Sequence, residues 1–224
     1  MDINTAEKND SIPVIRLPSA NTWEEGEAGF IISYLKTLRQ LLFSPTDFFI
    51  RTSGLKGWIM PVLFAVLCDM TGFLLIIIYG HNTLESLGYF KFYSNISLPW
   101  LFVASPLFII IGYIFGAIIL HASVIILGGK GGINKTLRIV TYSAASSVLH
   151  VLPYGSNLFS FIFRIAITIK GLQALHNFSA ARAVFAILMP FIGLFALGIL
   201  IVLIPLSIIG ASFLKELLEF IRMT

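Results

Sequence analysis

Asp69 is the one acidic residue inside a long apolar stretch of this chain, and Arg164 stands near the middle of another. A carboxylate at the centre of a helix in lipid costs about 2.5–3.5 kcal/mol unless it faces a partner or water. Asp69 is therefore expected to face inward, either as a proton or cation site or as half of a structural ion pair. Arg164 is its natural partner, because a hydrogen-bonded Arg–Asp pair leaves neither charge unpaired in a low dielectric. His121 and His150 also lie in apolar stretches. An imidazole there can relay protons near neutral pH, and the alternative is a hydrogen-bonded core histidine. His81, His121, His150 and His176 lack the clustered spacing and nearby carboxylates of a metal site, so no metal is expected.

Gly128-Gly129-Lys130-Gly131-Gly132 invites comparison with a phosphate-binding loop. It lacks the first glycine of that spacing, no Ser or Thr follows the lysine, and it joins two apolar helices instead of a strand and a helix. A tight turn is the expected role, with Lys36, Arg39, Lys130, Lys135 and Arg138 as candidate contacts to lipid phosphates. No serine sits in a Gly-x-Ser-x-Gly elbow or a Ser-x-x-Lys pattern. No catalytic residue, cofactor or cofactor-binding residue is assigned. Gly112 and Gly116 form a Gly-x-x-x-Gly spacing, which is expected to serve helix packing, with self-association a weaker expectation.

The elements that must position these residues are membrane helices. Residues Phe92 to Gly129 form 38 consecutive positions without Asp, Glu, Lys or Arg, and Ala183 to Leu214 form another 32. A bilayer core takes roughly 20 apolar residues of helix to cross, and lipid offers no partner to an unpaired backbone amide. The chain is 57% hydrophobic and only 12% charged, which excludes an ordinary soluble balance. Its net charge of +4 comes from basic residues scattered at span ends, with no aromatic-interleaved basic patch, so no nucleic-acid partner is expected. A single cysteine, Cys68, excludes an internal disulfide and a thiolate cluster.

Residues 1–28 are acidic and interrupted by Pro13 and Pro18, which predicts a flexible cytoplasmic tail with no secretory leader. Residues 29–56 form an interfacial cytoplasmic segment. In it Ile31, Tyr34, Leu35, Leu38, Leu41 and Leu42 recur at helical spacing, opposite Ser33, Lys36, Thr37 and Gln40, with Arg39 at the border. Such a helix is too polar to cross; it lies among headgroups or caps the bundle. Ser44 and Pro45 end it and open a second short helix with Asp47 near its positive end. Residues 57–224 form the membrane domain, with five predicted spans: Trp58 to Tyr79, Pro99 to Leu127, Leu137 to Leu152, Leu158 to Leu175 and Ala183 to Ile209. The third and fourth are short and joined by Pro153-Tyr154-Gly155, as a tilted or a re-entrant hairpin. The expected fold is an all-α polytopic bundle with an amphipathic N-terminal helix.

Positive-inside bias orients it. With the N-terminus inside, inner segments carry Lys36, Arg39, Arg51, Lys56, Lys130, Lys135, Arg138, Lys170 and Arg182, against Lys91, Lys215 and Arg222 outside. Five crossings then put the C-terminus outside.

Further residues carry a family likeness. Thr22-Trp23-Glu24-Glu25, followed by Phe43-Ser44-Pro45-Thr46-Asp47-Phe48-Phe49, resembles the cytoplasmic lead-in of the prokaryotic branch of the Yip domain family, a superfamily named for interaction with Ypt/Rab GTPases. His121, Gly128-Gly129-Lys130-Gly131-Gly132, Thr136-Leu137-Arg138, Tyr142-Ser143-Ala144, Gly171-Leu172, His176, Ser179 and Arg182-Ala183 follow the order and spacing of that domain. The resemblance spans residues 22–200 and implies five spans with a cytoplasmic N-terminus. Ser146 stands where the family often has proline, and Arg164 and Lys170 replace apolar residues. Eukaryotic members act in membrane traffic through Rab binding and membrane shaping; their acidic Tyr-Gly-Pro lead-in is absent here.

The expected function is a non-enzymatic integral protein of a bacterial inner membrane, organising the bilayer or serving as a scaffold for protein partners held through its N-terminal segment. The alternative is a small carrier or channel using Asp69, Arg164 and the span histidines. A capture experiment through Trp23 to Phe49 and a liposome flux separate the two.

Overall fold

The computed structural model describes Trp23, Glu24 and residues 29–55, 57–86, 98–152 and 156–223. Apart from Trp23 and Glu24, the expected tail lies outside these residues, as does the Pro153-Tyr154-Gly155 turn. The described residues contain helices and no strands.

Helix α1 (Phe30–Phe43) follows Gly29, whose φ of 83° suits glycine. Helix α2 (Pro45–Thr52) begins on Pro45, at a position whose missing N–H was unpaired anyway. Asp47 in its first turn and Arg51 in its last complement the helix dipole. Ser44 joins the two helices without a side-chain capping bond.

Helix α3 is Ile59–Ser86, α4 is Leu98–Ile126, α6 is Ser156–His176 and α7 is Ala180–Met223. Each contains a stretch long and apolar enough to cross a membrane: Ile59–Ile76, Phe102–Ile126, Ser156–His176 and Ala180–Ser207. The third expected span departs from this pattern. Helix α5 stops after Ile133–Tyr142, and the chain continues as a 3-10 helix over Ser143–Val151. The local chemistry explains the change. Thr141 Oγ1 donates to the Leu137 carbonyl at 2.8 Å and Ser143 Oγ to the Val140 carbonyl at 2.7 Å, drawing carbonyls away from the regular ladder. Ser143, Ala144, Ala145, Ser146 and Ser147 are all buried, and their small side chains let neighbouring helices come close.

This central segment is the hub of the bundle. The 3-10 helix packs against α3 and α6, while α5 packs against α3, α4 and α6. Gly72 of α3 marks a close approach: a Cβ there would lie 2.8 Å from the Ser147 carbonyl oxygen. Gly171 of α6 does the same for α5 and α2, its Cβ position being 2.8 Å from Ile139 and 3.0 Å from Phe49. Gly112, by contrast, faces open space, and Gly116 meets Val140 at 3.8 Å, so the Gly-x-x-x-Gly spacing makes no tight helix contact among the described residues.

The sealed core lies at the α1–α2 end, where Leu41, Phe48, Phe49, Phe64, Ile139 and Tyr142 are fully buried. Phe48 and Phe64 flank Tyr142 with ring centroids 4.8 and 5.2 Å away. Helix α1 packs on this core with Tyr34, Leu38, Leu41 and Leu42 of its expected apolar face, joined by Ser33 and Thr37 from the polar side. Ser33, Thr37, Leu38 and Leu41 are buried, whereas Ile31 and Leu35 point outward with Lys36 and Arg39. The small hydroxyl residues let α1 sit close to the bundle, and Thr37 is needed for a hydrogen bond described below. Helix α7 is anchored near its start by buried Ala183 and Ala186, and from Phe191 to Leu206 it is exposed on every side. Its 44 residues amount to about 66 Å of helix, twice the hydrocarbon thickness.

Candidate functional site

Three polar clusters lie along the central segment. The deepest surrounds Asp69, about 15 Å along α3 from Ile59 and so near the middle of an apolar span. Asp69 Oδ1 accepts from Arg164 Nη2 at 3.0 Å and, at close range, from the Ser147 hydroxyl; Oδ2 accepts from the Tyr113 hydroxyl at 2.7 Å. Arg164 Nη2 also donates to Ser147 Oγ at 2.9 Å and Nε to Ser146 Oγ at 3.4 Å, while its guanidinium carbon lies 5.9 Å from the Tyr113 ring centroid. Asp69 and Arg164 thus form an ion pair held by hydroxyls from α4 and the 3-10 helix. Charge-assisted bonds of this kind are stronger than neutral ones and compensate part of the desolvation of both ions. The Arg164 side chain stays 38% exposed and that of Asp69 20%. His150 stands at the edge, its Cδ2 3.2 Å from where a Gly72 Cβ would be, and its buried Nδ1 has no hydrogen-bond partner among the described residues.

The second cluster joins three helix ends. Thr136 Oγ1 of α5 lies 2.9 Å from His121 Nδ1 of α4 and 3.0 Å from His176 Nε2 of α6. One hydroxyl donates to one imidazole and accepts from the other. His121 is therefore not beside Asp69, and the span histidines do not form one polar centre. Lys135 Nζ donates to the Leu175 carbonyl at 3.3 Å, and Gly131, at φ 145°, passes directly over His176. Gly128 at φ 73° and close-packed Gly129 complete the turn expected of the glycine run. Lys130 is exposed beside it. Next along the chain, Ser179 Oγ accepts from the Arg182 amide at 3.4 Å and caps the start of α7.

The third cluster was not foreseen from residue spacing. Arg138, a candidate for lipid phosphate, is only 4% exposed and grips the Glu24 carboxylate with both Nη atoms, Nη1 to Oε1 at 2.6 Å. The Tyr142 hydroxyl donates to the same Oε1 at 2.6 Å. Arg138 is unavailable to lipid because a forked carboxylate already matches its geometry. Beside it the Trp23 amide donates to Thr37 Oγ1 at 2.9 Å, and Trp23 Nε1 donates to the Met60 carbonyl at 2.9 Å. The Trp23 ring packs edge-on to Phe30 and Tyr34 and leans on Phe64. Burial raises the Tyr34 phenol above its ordinary range and keeps it a neutral hydroxyl facing the Cys68 sulfur at 3.6 Å. Trp23 and Glu24 are therefore seated residues, a correction to the expectation of a flexible tail through residue 28. The signal was present in the sequence: a tryptophan and a carboxylate side by side in an otherwise polar lead-in, and an arginine opposite with no other acid nearby on α5.

Among the described residues no three His, Cys, Asp or Glu side chains converge as metal ligands. Lys36 and Arg39 remain exposed on α1.

The Yip1 domain family model matches residues 39–203, which include every residue of the first two clusters and the Arg138–Tyr142 half of the third. Neither a curated protein nor a solved structure matches the chain. The matched stretch covers most of the chain, which therefore belongs to the Yip1 domain family.

Proposed function

We propose that this Yip1-domain membrane protein is a non-enzymatic organiser of a bacterial inner membrane, of prokaryotic type, serving as a scaffold for lipid and protein partners at its cytoplasmic face. The observation that carries this reading is the double character of α1. One side is fixed to the bundle through Ser33, Thr37, Leu38 and Leu41, while Ile31, Ile32, Leu35 and Phe43 are exposed beside Lys36 and Arg39. An apolar stripe edged by cations suits the headgroup layer, where each basic residue near an anionic surface contributes about 1 kcal/mol.

We read five crossings, a number compatible with the helix directions, and place the N-terminus inside from the charge bias alone. Thr136 bonds residues at the C-terminal ends of both α4 and α6, so both helices run toward the same end of the bundle. The chain between them has to return, and α5 with the 3-10 helix amounts to about 33 Å of rise, enough for that passage.

The test uses the full chain reconstituted into vesicles containing phosphatidylglycerol. We expect altered vesicle size and shape that Lys36→Glu with Arg39→Glu suppresses, and no proton flux. Unchanged vesicles together with a flux that Asp69→Asn abolishes would overturn the reading. That second outcome belongs to the carrier alternative, which the 38% exposure of Arg164 at mid-span depth favours, since an open guanidinium there calls for water.

A further inference from the structure

Trp23 and Glu24 lie outside the matched domain, yet they fill a pocket whose Met60, Phe64, Arg138 and Tyr142 walls lie within it. They form a turn, not part of a helix, and touch the bundle as a ligand does: a flat ring among aromatic rings, a carboxylate on a forked guanidinium, and one backbone amide on a threonine hydroxyl. Two adjacent side chains and one backbone amide supply these contacts. We propose that the pocket between Arg138, Tyr142, Phe64, Met60 and Thr37 is a receptor for a short peptide segment of a partner protein, an aromatic residue followed by a carboxylate, and that Trp23-Glu24 occupies it in cis as a removable plug.

The charge pattern defines what can take the plug's place. Arg138 is a buried guanidinium, and the Tyr142 hydroxyl beside it is also buried. An empty pocket strands a guanidinium, so release of Glu24 is coupled to entry of another anion. The Trp23 half selects among anions: the Met60 carbonyl and the Thr37 hydroxyl fix an indole and a backbone amide, which a free phosphate or a lipid headgroup does not supply. A partner segment with both features replaces every contact and leaves no buried group unpaired. The inference deepens the scaffold reading by naming the partner's chemistry. Its test reads peptide binding, so that either can fail while the other stands.

The probe is a fluorescent synthetic peptide of residues 19–28, titrated against the full chain in nanodiscs and followed by anisotropy. The Trp23→Ala, Glu24→Gln chain, with its pocket vacated, should bind about tenfold or more tightly than the wild type, whose own plug competes. Peptides carrying Trp23→Ala or Glu24→Gln should lose that binding. Equal binding by wild-type and vacated chains, or competition by inorganic phosphate as effective as by peptide, would overturn the proposal. So would wild-type dimers that the vacated chain does not form, which would assign the pocket to exchange between copies. Should the vacated chain aggregate, the unlabelled peptide is added during extraction. Recovery of monodisperse protein then supports a receptor that accepts its plug in trans, and persistent aggregation overturns it.

Discussion

Gly72 and Ser147 touch where α3 crosses the 3-10 helix, with the Ser147 carbonyl oxygen 2.8 Å and its Cβ 2.9 Å from the position a Gly72 Cβ would take. Backbone oxygen cannot rotate away as a side chain can, so adding one methyl group forces the two elements apart. The same separation pulls Ser147 from Asp69. Gly72→Ala should lower stability by about 1–3 kcal/mol, the range for overpacking. Gly112→Ala, facing open space, should leave stability unchanged or raise it by about 0.5–1 kcal/mol through helix propensity. Thermal unfolding of both variants in one detergent provides the comparison.

Removing Asp69 strands Arg164 beside Ser146 and Ser147. Asp69→Asn alone should lower stability by about 1–3 kcal/mol, below the full value for a sealed pair because the Arg164 side chain is 38% exposed. Adding Arg164→Leu should recover part of the loss. The double-mutant cycle isolates the coupling, and losses that simply add would show that the ion pair contributes nothing of its own.

Thr136→Val keeps the shape of the side chain and removes the one hydroxyl between two imidazoles. His176 is 1% exposed and its Nδ1 already lacks a partner among the described residues, so losing the Nε2 bond leaves the ring without a hydrogen bond to the cluster. The expected loss is about 1–3 kcal/mol, with Thr136→Ser retaining most of the stability. Chemical denaturation of the two variants decides it, and equal midpoints would mean that the hydroxyl is dispensable.

A periplasm-active reporter fused after Thr224 should give signal, as the proposed five crossings from an inner N-terminus require. A reporter active only in the cytoplasm would reduce the crossings by one.

Apolar helices long enough to cross could be read from the sequence because lipid leaves composition to determine position. The depth of Asp69 and Arg164 could be read for the same reason: a charge in such a run needs a partner, and few candidates exist. The hydroxyls that complete the site could not. Tyr113, Ser146 and Ser147 are common residue types in membrane helices, and only the packing of α4 and the 3-10 helix against α3 makes Tyr113 and Ser147 ligands of Asp69 and Ser146 an acceptor for Arg164. How α1 divides its residues between bundle and surface was not legible, because periodicity ranks residues by apolarity, whereas Ser33 and Thr37 are buried for their small size and, in the case of Thr37, for the Trp23 amide. Glu24 escaped because a carboxylate in a polar lead-in looks solvated until its partner 114 positions later is known.

The bare stretch of α7 from Phe191 to Leu206 places a different demand on each residue from that placed on Ser143 to Ser147. Lipid tails read only how greasy a side chain is, while a packed neighbour reads its outline to within an ångström. Random substitution should therefore leave α7 nearly indifferent to swaps among Leu, Ile, Val and Phe and intolerant only of charge. In Ser143 to Ser147 even one added carbon should register. Over time α7 is free to change its spelling while keeping its oiliness, and the hub is held to its letters.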